Sequence, residues 1–405
     1  NTIALGDLSG SSLCDDIISI FQTSSGAASW IGGRSENQDC YYIDESFNSE
    51  KLQTIIKHSE PHQLSVLCSS LNKQSANASI NPYIYISAIF DGHGQYGNSA
   101  AQSAKEIIPK VIHQVSPTLC LRDEHIRSSI SISITAAQEQ ILTDAKLKDS
   151  MKQEYGTTAA IAVLWGGHNL TIANVGDSRG VLYRKRRNGY EAIQLTVDHT
   201  LERREERNRI IQSKGKILFT NNKLRRVIPS TQDYSQKDIT EKQLALGMSR
   251  SLGHLILGRY GVSSQPDFCT STIEDGDILI MASDGLWDVK SNEDIRKQIL
   301  LLSDKTAQEI ADDILNSVKL HFGKEITNSD NTTIVVTKFT KSNQVSLNLS
   351  EILPDTITPT ASWKTDSTSS GNLTPRFSTS TDSMPQSNSP MFAREDTPIL
   401  EYSDD

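Results

Sequence analysis

Five aspartate-bearing motifs flank apolar runs in this chain. "SAIFDGHG" places Asp91 after one such run and "TIANVGDSRG" places Asp177 after another. "ILIMASDGLWD" places Asp284 after a third, with Asp288 four residues on, while "NSDNTTIVV" and "GRSENQDCYYI" set Asp330 and Asp39 just ahead of two more. One aspartate at a strand end needs no special explanation, because turns favour Asp and Gly. Five such sites are different: neighbouring antiparallel strands expose alternate ends on one rim, so these carboxylates can converge. Converged carboxylates repel one another and their pKa values rise. A hard cation removes that cost, and oxygen-only ligation by Asp, backbone carbonyl and water suits Mg2+ or Mn2+. Gly92 lets the backbone approach such an ion closely and offers its own carbonyl. His93 adds an imidazole in the same turn.

Regular elements must hold these groups in place. "TTAAIAVLW" and "HNLTIANV", separated by Gly166-Gly167, read as a hairpin, as do "GVLYRKRR" and "YEAIQLTV" around Asn188-Gly189. Residues 84–90 form a short apolar run of the buried-strand kind, and "DGDILIMAS" and "NTTIVVTKF" are two further strands. A helix is expected over residues 98–115, kinked or shifted by Pro109. "DEHIRSSISISITAAQEQIL" alternates like a strand, yet Ile126, Ile130, Ile134, Ala137 and Ile141 fall at helical spacing. About twenty residues is too long for an ordinary strand, which decides for helix. "NEDIRKQILLL" and "TAQEIADDILNSVKLHF" are amphipathic helices with Asn292 and Thr306 as expected caps. "LERREERNRIIQSKG" reads as a solvated helix face, and "RKRRN" as a solvated strand end rather than a localisation patch. Hairpin-linked strands grouped apart from helices imply an α+β fold of antiparallel sheets with helices packed outside.

The remainder bounds the function class. A formal charge of −9 argues against nucleic-acid binding, which demands a basic face. Five cysteines without a CxxC pair speak against a disulfide framework or a cysteine zinc site and fit a reducing compartment. No apolar run approaches the roughly 18 residues of a membrane helix, and no charged-then-apolar signal segment opens the chain. The expectation is an intracellular monomer, cytoplasmic or nuclear. Residues 341–405 are Ser/Thr/Pro-rich and read as a disordered tail. Its Thr358-Pro359, Thr374-Pro375, Ser389-Pro390 and Thr397-Pro398 are candidate sites for proline-directed kinases. Residues 45–82 read as a polar insertion with a short helix in "SEKLQTIIKH". The expected division is an extension over 1–27, a catalytic domain over 28–340 and the tail.

The segments "GRSENQD", "FDGHG", "GTTA", "ANVGDSRG", "LTVDHT", "GMSRSLG", "ASDGLWD" and "SDNTT" occur in the order found in metal-dependent type 2C protein serine/threonine phosphatases. The chain resembles that family over residues 28–339. The resemblance implies a four-layer αββα sandwich, two central antiparallel sheets flanked by helices, and hydrolysis of phosphoserine and phosphothreonine on protein substrates. It further implies that Asp91 bridges two Mg2+ or Mn2+ ions, that the Gly92 carbonyl ligates one, and that Asp284 and Asp330 ligate the other. By the same resemblance Asp39 holds water of the metal shell, Arg34 grips the substrate phosphate, and His93 is the proposed general acid. Asp177 and Asp288 match a looser third metal site formed with Asp284. Residues 201–244 fall where the family has a variable flap beside the active site. Asp198 and His199 are assigned to structure.

Two positions depart from the family pattern. Gln38 stands where many members have glutamate, and His254 replaces the usual aspartate, with altered local hydrogen bonding rather than inactivity expected. The alternative reading is a scaffold that kept the fold and lost its metals, whose mark would be broken ligands. A calcium-binding module would need a local loop such as DxDxDG, whereas these carboxylates are spread from Asp39 to Asp330.

Overall fold

The computed structural model describes residues 17–44, 84–115, 122–147, 154–165, 167–219, 225–231, 233–235, 237, 239 and 244–348. The polar insertion with its short helix, the tail beyond residue 348 with its Thr-Pro and Ser-Pro pairs, and Cys14, Cys68 and Cys120 lie outside the described residues. The chain divides into two units, Asn1–Leu353 and Pro354–Asp405, and all described residues belong to the first.

Alternating side chains build two antiparallel sheets. In the first, the order is β1 (Ile17–Trp30), β14 (Thr332–Asn348), β13 (Ile278–Ala282), β7 (Arg179–Arg186) and β8 (Gly189–Gln194). In the second, it is β11 (Leu252–Gly253), β4 (Tyr155–Thr157), β3 (Tyr85–Gly94), β5 (Ala159–Trp165), β6 (Asn169–Val175) and β12 (Asp267–Thr272), with β2 (Asp39–Ile43) on the free side of β3. Both expected hairpins are present, as β5–β6 and β7–β8. A further pair, β9 (Lys216–Phe219) and β10 (Arg225–Ile228), lies in the 201–244 segment. Ile17 pairs with Asn348, so the first sheet begins within the stretch read as an N-terminal extension and ends within the stretch read as tail.

The period of two along each strand explains the layering. In β13, Leu279 and Met281 join Tyr85, Ile89 and Ile172 of the second sheet in the core between the sheets. Ile278, Ile280 and Ala282 point the other way, onto α5 (Asn292–Leu301) and α6 (Ala307–Phe322). In β3, Ile86, Ala88 and Phe90 likewise face α1 (Gly97–Val115) and α2 (Asp123–Leu147). The result is the α+β, four-layer αββα sandwich. Ile126, Ile130, Ile134, Ala137 and Ile141 of α2 are all buried, as their helical spacing required.

α1 is present as expected and contains Pro109, and its buried face of Ala101, Ala104, Ile108 and Ile112 offsets the lost backbone bond. Two local expectations need correction. α5 is capped by Ser291, not Asn292: Ser291 accepts from the Asp294 N–H and Asp294 reciprocates, a capping box. Thr306 caps α6 as expected, with Glu309. The second is α3 (Arg204–Gln212), whose charged face is not all solvated. Glu206 is fully buried against Arg209, Arg250 and Ser249.

Candidate metal centre

Strand register brings the acidic groups together. Asp39 on β2 lies directly opposite Asp91 on β3. The Asp91 N–H donates to Thr158 Oγ1 at 3.0 Å. The Thr158 N–H returns a bond to the Asp91 carbonyl at 2.9 Å, which fixes the end of β3 against the start of β5. Thr158 Oγ1 also meets Ser178 Oγ at 2.7 Å, tying in the β6–β7 turn that carries Asp177. Asp284 opens a one-turn helix, α4 (Asp284–Trp287), immediately after β13. One carboxylate oxygen each from Asp91, Asp177 and Asp284 lie within 4.8 Å of one another, and all three residues are half-buried.

Like charges at this spacing show in their proton affinities. Burial, then Asp39, Asp284, Asp177 and Asp330, hold Asp91 well above the usual carboxylate range. Burial, then Asp177, Asp330, Asp288 and Asp39, do the same to Asp284. Asp177 is pushed up to about 7, chiefly by burial. Burial pushes Asp39 up to about 6 although Ser283 donates to it at 2.8 Å. Asp288 is exposed and raised more modestly, by burial of its carboxyl and by Asp330. Oδ1 of Asp39 and Oδ1 of Asp177 are buried without any hydrogen-bond partner. Crowded carboxylates with orphaned oxygens fit hard divalent cations.

The remaining expected groups surround this cluster. Asp330 lies at the start of β14 and is bound by Arg34 Nη2 at 2.5 Å, so the expected phosphate grip and an expected metal ligand are paired with each other. Their side chains are 59% and 40% exposed, and such a pair holds only weakly, about 0–1 kcal/mol. Asn331 staples the Arg34 loop: its Nδ2 donates to the carbonyls of Ile31 and Glu36, and its Oδ1 accepts from the Gln38 N–H. The Gln38 amide itself donates to the Gly94 carbonyl at 2.9 Å, so it braces the "DGHG" turn. Gly92 is buried where a Cβ would meet the Gly97 carbonyl oxygen at 2.4 Å and that of Gln38 at 2.6 Å, so only glycine fits.

Outer groups lock the arrangement. Arg179 binds both carboxylate oxygens of Asp198 and lies 5.1 Å from the centre of the Trp287 ring, holding α4 beside the Asp177 turn. His199 Nδ1 accepts from the Gly176 N–H at 3.0 Å and pins that turn. The structural assignment of Asp198 and His199 rests on these contacts. His93 Nε2 lies 2.8 Å from Nε2 of His254, a contact that sequence reasoning missed. Burial first, then His254, push the His93 imidazole down to about 3, against the pull of the Asp91 backbone. Thr158 and Asn331 were visible as letters of "GTTA" and "SDNTT", but nothing local marked what they hold.

Among the described residues no helix is long and apolar enough to cross a membrane. The chain matches the family model described as Protein phosphatase 2C over residues 58–369, a stretch that begins after Arg34 and Asp39. It is 29% identical over 231 residues to "Probable protein phosphatase 2C 65" of Arabidopsis thaliana, covering 54% of this chain and 59% of that protein. It is 36% identical over 216 residues to "Protein phosphatase 1L" of Bos taurus, covering 52% of this chain and 53% of that one. The matched stretches thus span between half and three-fifths of these curated relatives. A crystal structure of a serine-threonine phosphatase 2C from Toxoplasma gondii superposes with a TM-score of 0.63 at 19% identity, over 78% of this chain and 95% of that one, a likeness of fold.

Proposed function

Because the chain belongs to the protein phosphatase 2C family, we propose that it hydrolyses phosphoserine and phosphothreonine on proteins with the help of Mg2+ or Mn2+. The convergence of Asp91, Asp177 and Asp284 carries this reading. Asp91, Asp284 and Asp330, with the Gly92 carbonyl and Asp39, would hold two ions, and Asp177 and Asp288 with Asp284 a third. Bound there, the cations would supply Lewis-acid stabilisation of the phosphoryl group and an activated water for in-line attack.

The chain's own residues do the rest. Arg34, held among the described residues by an exposed ion pair, turns onto the substrate phosphate, whose geometry its planar fork matches. His93 gives a proton to the serine or threonine oxygen as it leaves. Burial and then His254 lower the ring's proton affinity, so this role requires that the ring carry the proton in the substrate complex. The scaffold reading is not favoured, because each of its diagnostic positions still carries a competent group.

The test is turnover of a phosphothreonine peptide, expected to vanish with chelator and return with Mn2+ or Mg2+. Full turnover after verified metal removal would defeat the reading. A second test isolates His93. His93→Gln should slow the peptide by roughly 10²- to 10⁴-fold, the worth of a general acid. An activated aryl phosphate, whose leaving group needs no proton, should suffer much less. Equal losses on both substrates would remove His93 from that role.

A further inference from the structure

His93 and His254 meet because β4 lies between the strands that carry or precede them. His93 pairs with Gly156 on one side, and Gly156 pairs with Gly253 on the other. The two imidazoles lie within 17° of one plane with centroids 5.0 Å apart, the arrangement of rings meeting edge to edge through a nitrogen–nitrogen hydrogen bond. A Cβ at Gly156 would stand 2.8 Å from His254 Nε2, so the bridge needs glycine there. His254 itself sits in the left-handed region at φ 59°, a conformation histidine tolerates better than most residues. Its backbone N–H donates to the Tyr155 carbonyl at 3.1 Å.

Behind His254 stands Glu154, buried just ahead of β4. Glu154 Oε1 accepts from the Ile256 N–H at 2.7 Å and Oε2 from the Leu257 N–H at 3.0 Å. The third neighbour of this carboxylate is His254 Nδ1, 3.2 Å from Oε2. An ionised carboxylate only accepts. His254 therefore carries its proton on Nδ1 and presents a bare Nε2 lone pair to His93. The partner nitrogen of His93 must then be Nε2–H. Ser251 Oγ, 3.2 Å from the same nitrogen, agrees: its hydroxyl proton is directed at the carbonyl of Thr157 or Leu252, leaving its lone pairs for His93. His93 Nδ1 is buried without a hydrogen bond of good geometry, although the Asp91 backbone pulls on the ring.

We propose that Glu154 and His254 are positioning residues that fix the tautomer and orientation of His93, reserving Nδ1 for the proton delivered to the leaving oxygen. In that step a water oxygen bonds to phosphorus as the ester P–O bond breaks, the electron pair of the broken bond stays on the serine or threonine oxygen, and a proton held on Nδ1 in the substrate complex moves onto that oxygen. The ring keeps its Nε2–H, still bound to His254. This inference rests on the phosphatase reading above. It also supplies a role for the position at which the chain departs from its family's usual aspartate.

The test uses the full chain with a phosphothreonine peptide and p-nitrophenyl phosphate. His254→Leu should lower kcat on the peptide by roughly 10- to 100-fold with KM unchanged, and alter the aryl phosphate by less than about threefold. His254→Gln, whose amide oxygen can accept from His93, should recover most of the loss. Equal losses on the two substrates would overturn the proposal. Side-chain nitrogen NMR of the 15N-labelled, unmutated chain with Mg2+ reads the tautomers without any turnover. The expected result is a proton on Nδ1 of His254 and on Nε2 of His93. A neutral His93 with its proton on Nδ1 and none on Nε2 would overturn the proposal. Absence of metal-dependent turnover by the unmutated chain would defeat the phosphatase reading instead, leaving the NMR result to decide the relay.

Discussion

Asp91→Asn should abolish most turnover on every phosphorylated substrate and yet make the metal-free protein more stable above neutral pH. Asp91 sits where burial and four neighbouring aspartates raise its proton affinity well above the usual range. An amide of the same shape removes one buried negative charge and relieves that repulsion. The same charge is what two cations would share, so metal affinity falls with it. Loss of an outer-shell partner of a ligand typically costs about 10- to 100-fold in affinity or activity, and loss of the central ligand should exceed that. Thermal unfolding of both proteins at pH 8, with and without Mg2+, separates the two effects. The variant should unfold at higher temperature than the parent without metal and should gain less from Mg2+. A variant that keeps parental turnover, or that is the less stable of the two without metal, contradicts this account.

The metal-free protein should also lose stability steadily as pH rises from about 6.5 through about 7, and Mg2+ or Mn2+ should abolish most of that loss. Asp177, at about 7 mainly through burial, and Asp91 and Asp284, held well above their ordinary value by burial and by neighbouring aspartates, retain protons that the unfolded chain has already released near 3.8. A group whose folded pKa is raised contributes stability that is complete below the unfolded pKa and is lost as pH climbs through the folded one. Each such group contributes a slope of up to about 1.4 kcal/mol per pH unit. Below pH 6.5 the buried histidines interfere with opposite sign. Burial and then His254 lower His93 to about 3, and burial and then Arg250 lower His199 to about 4, so both destabilise the fold as pH falls. Glu206, whose burial is outweighed by Arg209, Arg250 and Ser249, is held below its ordinary range and matters only in acid. The window above 6.5 therefore isolates the aspartate cluster. A melting temperature that is flat or rising there without metal would show that the carboxylates do not crowd one another.

Much of this architecture was local, and so legible in the sequence. The β7–β8 hairpin turns at Asn188-Gly189, where Gly189 takes φ 130°, and the isoleucines of α2 recur at the period of a helix. The aspartates flanking apolar runs were readable for the same reason: a strand that is buried must end where polar groups begin, so its ends mark a rim. Whole-chain packing decided the rest. Glu206 lies on a helix whose charges look solvated, and only the approach of Arg250, 44 residues away, lets that carboxylate be buried and satisfied. Asn331 reaches Ile31 across 300 residues to shape the loop of Arg34. The altered hydrogen bonding expected at His254 had no partner in the sequence; β3, β4 and β11 set it beside His93, with Glu154 behind it. Hydrogen-bond partners in a buried site are chosen by strand register and chain crossing. A side chain's type, written in the sequence, fixes what it can donate or accept, while its partner is whichever group the completed fold places within 3 Å.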